Sequence, residues 1–449
     1  MKKKEILYLN LILFHVGIGF LVYLIPFISK IYGLAIFVIG IYYVINKQNK
    51  NNEALIAAAY VVGSEVFLRM TDGNLLHEAS KYGVIVFILI GMYYNGFSKG
   101  TTPYWLFLLL LVPSIVLSTL ALNIDTNIRK AIAFNISGPV CLGISSIYTY
   151  RRKISLDEMN SIILSMGLPI ISCAIYLIFY TPNLQDVITS TQSNFATSGG
   201  FGPNQVATIL GLGMFIFFSR IIVASETKFS LILNFIIAST IGYRGIITFS
   251  RGGMITGLIM IISLVVFLYY KANGNGRLKL NVILLLIVGA MFLVWTYSSV
   301  QTNGLIDKRY ANQDAAGRKK QSNFTGREEV AQSELNMFLD NPIFGVGVGK
   351  GSEVREEKTG NKVASHDEIT RMIAEHGTFG IIGLLILFFT PLILYFENKF
   401  NLYLLCFFVF WLLTINHAAM RIAAPAFVYS LALLNVNFGK VPIRNSKEL

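Results

Sequence analysis

NPIFGVGVGKG, residues 341–351, and SHDEITRMIAEHGTFG, residues 365–380, belong to the one long polar segment of an otherwise apolar chain. That segment covers residues 297–380, and outside these two stretches it contains Arg309, Arg318, Arg327 and Arg355. A chain this apolar rarely keeps about eighty residues rich in charge, glycine and histidine without a use for them. The segment therefore predicts a polar cap that carries functional side chains over one face of a membrane protein.

The composition indicates a membrane protein. Of 449 residues, 54% are hydrophobic and 14% are charged, and the mean hydropathy is +0.61. Soluble domains have about 25% charged residues. Apolar runs of roughly the 17–25 residues that a spanning helix needs recur from end to end. We therefore expect an all-α, polytopic transmembrane helical bundle of about 11–14 spans with a large, partly helical outer loop. No cleavable signal peptide is evident.

Fourteen segments are candidate spans. They are residues 6–28, 31–45, 54–70, 82–96, 103–122, 131–150, 161–180, 204–220, 229–248, 252–270, 281–298, 378–396, 400–415 and 424–438. Lys2, Lys3 and Lys4 place the N-terminus in the cytoplasm, because lysine and arginine concentrate in cytoplasmic loops. Alternation of the spans then puts residues 181–203, 249–251 and 299–377 outside.

This topology divides the chain into three parts: N-terminal transmembrane helices over 1–298, a large periplasmic loop with the active-site residues over 299–377, and C-terminal helices with a cytoplasmic tail over 378–449. The net charge of +13 follows the same topology rule, and no nucleic-acid motif accompanies it. The three cysteines lie in apolar runs without metal-type spacing, so neither a disulfide nor a zinc site is implied.

The outer segments contain the polar candidates. FGPNQ, residues 201–205, begins a span with a helix-breaking turn, and Asn204 could cap the helix. An alternative is that this loop faces a sugar, because Asn and Gln bind hydroxyl groups. Ser250-Arg251-Gly252-Gly253 lies at the mouth of the next outer junction, with Arg244 about two helical turns earlier. Arg251 could bind phosphate beside a helix N-terminus or could merely extend to the membrane surface.

In the long loop, Thr325 and Glu328 have the spacing of a capping box at a helix start. The glycine run at 345–349 lacks the Lys-Ser/Thr ending of a nucleotide-phosphate loop. It predicts a tight turn that brings Arg327 back over the bilayer surface.

His366 precedes a predicted helix on which Asp367 and Arg371 form an i,i+4 pair. A loop histidine is usually just solvated, but it can also serve as a general base near neutral pH. His376 and His417 are weaker candidates.

Four motifs occur in order: GGFGPNQVA, TFSRGG, TGR followed by NPIFGVGVG, and SHDEITRMIAEHGTFGIIGLL. Their arrangement resembles the O-antigen ligase/polymerase superfamily of bacterial surface-polysaccharide enzymes. The resemblance is concentrated in residues 199–385. It is specific to the superfamily and not to one member.

The resemblance implies a metal-independent, inverting glycosyltransferase without a cofactor, in the bacterial cytoplasmic (inner) membrane, with its active site facing the periplasm. The donor would be a glycan on undecaprenyl diphosphate, and the acceptor either lipid A-core or another lipid-linked repeat unit. Arg251 and Arg327 would hold the diphosphate, His366 would activate the acceptor hydroxyl, and Glu375 and Gly377 would position the helix. Asp367 and Thr370 depart from the usual pattern and weaken a ligase assignment in particular.

The residues fit this chemistry, because two arginines can stabilise charge on a leaving diphosphate and a neutral histidine can accept a proton. The intact histidine and arginine pattern favours a ligase over a polymerase, and a chain-length regulator is a possible partner. A transporter of lipid-linked oligosaccharide is the alternative from another class. It would concentrate charge at mid-membrane, where this sequence offers only Glu65 and Arg69.

Overall fold

The computed structural model describes residues 3–320, 327–360, 363, 365–397 and 401–437. The protein is 76% helical, with eighteen helices and almost no strand in this described part. The all-α class predicted from composition is therefore confirmed.

The first eleven helices are α1 (Lys3–Leu24), α2 (Phe27–Lys47), α3 (Glu53–Met70), α4 (Ala79–Asn95), α5 (Thr102–Ala121), α6 (Ile128–Thr149), α7 (Leu156–Tyr180), α8 (Leu184–Val187), α9 (Pro203–Val223), α10 (Lys228–Ile247) and α11 (Arg251–Lys271). A single turn of 3₁₀ helix (Ala196–Ser198) lies between α8 and α9. The remaining helices are α12 (Gly274–Gln301), α13 (Leu305–Tyr310), α14 (Arg327–Asp340), α15 (Lys350–Thr359), α16 (Glu368–Glu397), α17 (Leu404–Ile415) and α18 (Ala423–Leu431).

Each of the fourteen predicted spans overlaps one of these helices, but the prediction 424–438 is too long, because α18 ends at Leu431. Ten helices of the described part are long and apolar enough to cross a membrane: α1, α2, α5, α6, α7, α9, α10, α11, α12 and α16. The other four are shorter or more charged. The α3 helix contains Glu53, Glu65 and Arg69, and α4, α17 and α18 have 17, 12 and 9 residues.

One end of the bundle is closed by short strands. Residues Lys153–Ser155 (β1) pair in parallel with Asn435–Asn437 (β2). Arg151, just before β1, forms an exposed ion pair with Glu397 at the end of α16. These segments all belong to the cytoplasmic side of the predicted topology.

The predicted outer loops meet at the opposite end. A small apolar cluster (Leu184, Ile188, Ile247, Phe249 and Ile306) joins the 181–202 loop and α13 to the junction between α10 and α11. Glu353 on α15 accepts hydrogen bonds from the main chain of Asn123 and the hydroxyl of Thr126, in the loop between α5 and α6. Loops far apart in sequence are thus assembled into one polar cap.

Glycines bring α9 and α11 into main-chain contact. A Cβ atom on Gly253 would lie 2.3 Å from the carbonyl carbon of Ala207, and one on Gly257 would lie 2.5 Å from the carbonyl oxygen of Gly211. Only Gly fits at this separation. By contrast, α12 lies at the edge of the bundle, with Leu280 and Ser298 as its fully buried residues.

Candidate active site

The N-terminus of α11 is at the centre of the polar cap. Ser250 precedes α11, but its hydroxyl donates to Oδ1 of Asn204 at 2.7 Å and makes no capping bond to α11. The amides of the first turn of α11 therefore have no side-chain cap. Such a helix end attracts anions, because its N–H groups point outward and carry the positive end of the helix dipole. Asn204, predicted as a cap or a sugar contact, instead positions the Ser250–Arg251 junction.

The residue before this junction has an unusual backbone. Phe249 is buried and has a φ of 58°, a conformation that costs a bulky residue free energy. Its carbonyl oxygen accepts a hydrogen bond of 2.8 Å from Nε of Arg309. Arg309 also donates to Oγ of Ser193 at 3.3 Å. The strained turn thus fixes a second arginine, from α13, beside the start of α11.

Three cations lie together at this helix end: Arg251, Arg309 and Lys320. Nη1 of Arg251 lies 3.5 Å from the carbonyl oxygen of Arg309, and Nζ of Lys320 lies 3.4 Å from that of Thr191. Partial burial, and then the charges of Arg309 and Arg251, lower the pKa of Lys320. Within the described ranges, no carboxylate forms an ion pair with Arg251 or Lys320. We call these three residues the cation cluster, and it is suited to an anion with several charges.

Tyr310 forms the boundary between the cation cluster and the membrane-embedded helices. Burial raises the pKa of Tyr310 to about 12, and the charges of Arg251 and Arg309 act in the opposite direction. Its ring packs edge-on against Trp295 of α12, with ring centres 4.9 Å apart. The phenol is therefore neutral at physiological pH.

His366 is half-buried and lies two residues before α16. The side chain of Asp367 caps this helix, because its Oδ1 accepts from the amides of Ile369 at 2.7 Å and Thr370 at 3.4 Å. The expected side-chain pair between Asp367 and Arg371 is therefore wrong: the capping bonds hold the carboxylate at the helix end.

Arg371 instead forms ion pairs with Glu368 and, at 3.0 Å, with Glu375. All three side chains are buried. They line a cavity of about 70 Å³ together with Phe134, Asn135, Gly349, Ser352, Arg355, Ser365, Ala419, Met420 and Arg421. The charged residues of this helix therefore form an internal network beside His366.

A third buried carboxylate, that of Glu334, joins α14 to this network. Glu334 accepts from Arg355 at 2.9 Å, from Ser365 at 3.2 Å and from Thr370 at 2.6 Å. The same α14 helix begins at Arg327, two turns or about 10.5 Å before Glu334. The side chain of Arg327 and the predicted cap Thr325 lie outside the described residues, so the role of Arg327 stays a prediction.

The glycine run at 345–349 stabilises a break in α16. Gly377 has φ 60° and ψ −139°, and the helix turns there. The carbonyls of Ala374 and Glu375 accept instead from the amides of Val346 at 2.9 Å and Gly347 at 3.2 Å. The carboxylate of Glu375 accepts from the amide of Gly349 at 2.9 Å. The run is thus a turn, as predicted, and it forms main-chain bonds to the kinked helix.

A loop at 416–422 connects the two halves of the site. At one end the His417 ring lies directly against Gly252, and its Nε2 is 3.3 Å from Oγ1 of Thr208. At the other end Arg421 donates to the carbonyl of Ser365. Residues 417 and 421 can be at most about 14 Å apart. The neighbours of Arg251 and of His366 are therefore held at the two ends of one short loop.

Two other candidates lie inside the bundle. Arg244 is 2% exposed, and its Nη2 donates to the carbonyl of Leu177 at 2.8 Å. It therefore contacts main chain at the base of the 181–202 loop. His376 is 1% exposed, and its Nδ1 pairs with the hydroxyl of Ser114 on α5.

Sequence reasoning did not assign roles to Arg309, Lys320 or Arg421. Each belongs to a segment whose local pattern predicts only a polar loop, so its position depends on tertiary contacts. The available signal was the basic charge of the outer loop, which opposes the usual topology bias. Among the described residues, no group of three His, Cys, Asp or Glu side chains could hold a metal ion.

Comparison with known proteins gives a match over the part of the chain that contains this site. A family model described as O-antigen ligase matches residues 235–388. The match includes Arg251, the long polar segment, His366 and the kinked part of α16. No curated protein matched the chain.

Proposed function

We propose, from the match of residues 235–388 to the family model described as O-antigen ligase, that this multi-pass membrane protein is a glycosyltransferase of the O-antigen ligase/polymerase superfamily. It moves a glycan from undecaprenyl diphosphate to an acceptor hydroxyl. The reaction takes place on the periplasmic face of the bacterial inner membrane, and the cytoplasmic side is the end that contains β1 and β2.

The observation that carries the proposal is the cation cluster at the uncapped N-terminus of α11. A diphosphate offers several anionic oxygens, and guanidinium groups bind such oxygens in pairs. Arg251, Arg309 and Lys320 surround one helix end that itself favours anions. Their positions therefore support a diphosphate site, and we assign Arg327 to the same site from its motif alone.

His366 acts as the general base in this proposal. It stands at the start of α16, and Arg421 holds the adjacent Ser365 carbonyl from the loop that also contacts Gly252. Neutral imidazole can accept the proton of an acceptor hydroxyl. The buried network of Arg371, Glu368 and Glu375 holds the helix behind it.

The reaction is a single displacement at the anomeric carbon. The acceptor oxygen forms a bond to that carbon as the bond between the carbon and the diphosphate oxygen breaks. The hydroxyl proton passes to His366, and the electron pair leaves on the diphosphate, where the cation cluster stabilises the charge. The configuration at the anomeric carbon inverts. The cluster supplies this stabilisation without a divalent metal.

We assign the protein to the ligase type, with lipid A-core as acceptor, because both the SRGG arginine and the histidine of the SHDE motif are present. Polymerisation of lipid-linked repeat units is the alternative. The structure supports a transporter less well, because the buried charges are not concentrated at mid-membrane. They form one network around the end of α3 and the start of α4, made up of Glu65, Arg69, Glu78 and Lys81. That network lies toward the end of the bundle that carries the cap.

The glycan profile of a strain that lacks the gene tests the assignment. Lipid-linked and lipid A-linked glycans are separated in the deletion strain and after complementation with wild type or with His366→Ala. Long polymer retained on undecaprenyl diphosphate, with bare lipid A-core, supports the ligase. Lipid A-core with one repeat unit indicates the polymerase.

The complemented strains separate chemistry from folding. Wild type restores the normal profile, whereas His366→Ala at equal membrane abundance leaves the deletion profile unchanged. Full restoration by His366→Ala would overturn the proposed base, and a deletion strain with both pools unchanged would overturn the proposed function.

A further inference from the structure

A groove with a basic rim lies at the end of the bundle opposite to the cation cluster. It has a volume of about 380 Å³ and is bounded by the ends of α9 and α11 and by the start of α12. Arg251 begins α11 and Lys271 ends it, so about 30 Å of helix separates the groove from the cation cluster. This length matches the hydrocarbon core of a bilayer. The groove is therefore at the other membrane surface, which is cytoplasmic in the predicted topology.

The lining of the groove combines hydrocarbon with positive charge. Four aliphatic side chains, all buried or half-buried, form its floor: Ile222, Leu268, Leu280 and Ile283. Lys271 at the end of α11 and Lys279 in the second turn of α12 are exposed and form its rim. Among the described residues, none that lines the groove is acidic. Such a surface suits a molecule with an anionic head and an apolar chain.

The charge of the surrounding sequence has one sign. Between Glu226 and Asp307 the chain contains no acidic residue, whereas the stretch KANGNGRLK, residues 271–279, contains three cations. Opposite charges that would reduce the local potential are thus absent from α10, from α11 and from the whole of α12. An anion that approaches the groove therefore meets a positive potential, which extends about one Debye length from the surface.

The turn between α11 and α12 is fixed at the depth of lipid headgroups. Nε of Arg277 donates to the carbonyl of Tyr269 at 3.3 Å, and the guanidinium group lies 5.4 Å from the centre of the Tyr269 ring. The side chain of Asn273 caps α12 by accepting from the amide of Gly276 at 2.9 Å. Tyr269 and Tyr270 are exposed, and tyrosine concentrates where the hydrocarbon core meets the headgroups. The two lysines of the rim are therefore at the depth of phospholipid phosphates.

We propose that this groove binds an anionic phospholipid of the cytoplasmic leaflet, with its phosphate between Lys271 and Lys279 and an acyl chain on the apolar floor. A lipid in this position contacts α9, α11 and α12 together. Since Leu280 and Ser298 are the fully buried residues of α12, the lipid adds contacts that hold this peripheral helix to the bundle. The inference concerns the cytoplasmic end of the protein and does not depend on the proposed glycosyltransferase function.

The test compares two pairs of substitutions. Lys271→Gln with Lys279→Gln removes both charges of the groove, and Lys47→Gln with Lys50→Gln removes two exposed charges from the turn after α2, at the same end of the bundle. Purified, delipidated wild type and both double variants in neutral detergent are mixed with phosphatidylglycerol or phosphatidylcholine carrying the same fluorophore on an acyl chain. Fluorescence anisotropy gives the Kd of each lipid.

We expect wild type to bind phosphatidylglycerol about tenfold or more tightly than phosphatidylcholine, because two lysines attract its net negative charge. The groove variant should bind the two lipids equally, and the control variant should keep the wild-type preference. Equal binding of the two lipids by wild type would overturn the inference, and so would an equal loss of preference in both variants. Displacement of labelled phosphatidylglycerol by an equal concentration of glycerol 3-phosphate would make this a site for soluble phosphates and would also overturn it.

A second measurement covers the case in which the groove variant does not fold. Phosphatidylglycerol with a photoreactive diazirine near the headgroup end of an acyl chain is bound to wild type and irradiated. Labelled peptides from the last turns of α9 and α11 or the first three turns of α12 support the inference. Labelling confined to other parts of the chain overturns it.

Discussion

The charge of Lys320 depends on its neighbours in the cation cluster. Its pKa is lowered by partial burial and by Arg309 and Arg251, and a bound anion would raise it again. Anion binding therefore takes up a proton, and affinity should fall as pH rises through the lowered pKa. Lys320→Arg stays protonated, so we expect it to retain pyrophosphate affinity at higher pH than wild type.

The measurement is pyrophosphate affinity between pH 7 and pH 10. The ratio of the Lys320→Arg and wild-type affinities is compared, because ionisation of the ligand cancels in that ratio. Lys319→Arg is the matched control, since Lys319 is exposed. A ratio that stays constant across this range would remove Lys320 from the site.

Asp367 combines a capping role with an unfavourable charge. Burial raises its pKa, the amides of Ile369 and Thr370 lower it, and the nearby charges of Glu334 and Glu368 raise it; the net shift is upward. When folding raises the pKa of a carboxyl group, the folded protein becomes less stable as pH rises through that pKa. Asp367→Asn keeps the cap without the charge, so it should leave stability at pH 7 unchanged or higher.

Asp367→Ala removes the cap and should cost about 1 kcal/mol. Thermal unfolding in detergent at pH 5 and pH 7 compares the two variants. If Asp367→Asn lowers the melting temperature more than Asp367→Ala does, the capping role is contradicted.

At this scale the sequence indicated Arg251 and His366, because each stands in a short motif with a recognisable chemical use. It could not indicate Arg309, because that side chain is positioned by residues of other segments, among them the carbonyl of Phe249 and the hydroxyl of Ser193. The erroneous Asp367–Arg371 pair has the same origin: helical spacing alone does not reveal a competing cap.

At the scale of single elements, the break in α16 depends on Gly377. A Cβ atom there would lie 2.6 Å from the amide nitrogen of Gly345 and from the carbonyl oxygen of Ile343. The backbone conformation also suits glycine alone. Gly377→Ala should therefore destabilise the protein by at least about 2 kcal/mol and disturb the position of His366.

Gly289→Ala is the matched control, because Gly289 lies on an exposed helical face with open space at its Cβ position. Thermal unfolding and glycan transfer are measured for both variants. Equal stability of the two variants would show that the kink tolerates a side chain.

The sequence predicted a turn at 345–349. The bonds from this turn to Ala374 and Glu375 link separate segments, and a local sequence pattern does not specify such contacts.

At the scale of the whole molecule, hydropathy alone indicated a helix in each of the fourteen segments, and ten of these helices have the length and composition that the bilayer requires of a spanning helix. It could not show how the outer loops pack together. That arrangement depends on contacts such as the amide of Ala423 with the carboxylate of Glu65, 2.6 Å apart, and the amide of Met420 with Glu368. These two buried carboxylates hold the 416–422 loop in place.

Glu65→Ala should therefore reduce stability strongly. It would remove the nearer partner of the buried guanidinium of Arg69, 2.8 Å away, and leave only the more distant Glu78 at 3.9 Å. Breaking a buried ion pair typically costs about 3–5 kcal/mol. Glu397→Ala removes an ion-pair partner that is 47% exposed and should cost less than about 1 kcal/mol. Thermal unfolding of the two variants in the same detergent checks this. Equal melting temperatures would contradict a structural role for the buried pair.

The most direct test of the account is the rate of glycan transfer from a polyprenyl diphosphate donor by purified Arg251→Ala. Arg318→Ala is the matched control, because Arg318 lies in the same outer loop as Arg309 and is 81% exposed. We predict that Arg251→Ala lowers the transfer rate by about 10²–10³-fold, as expected when one group that stabilises developing charge is removed. Arg318→Ala should remain close to wild type. If Arg251→Ala transfers glycan as fast as Arg318→Ala, the cation cluster is not the diphosphate site.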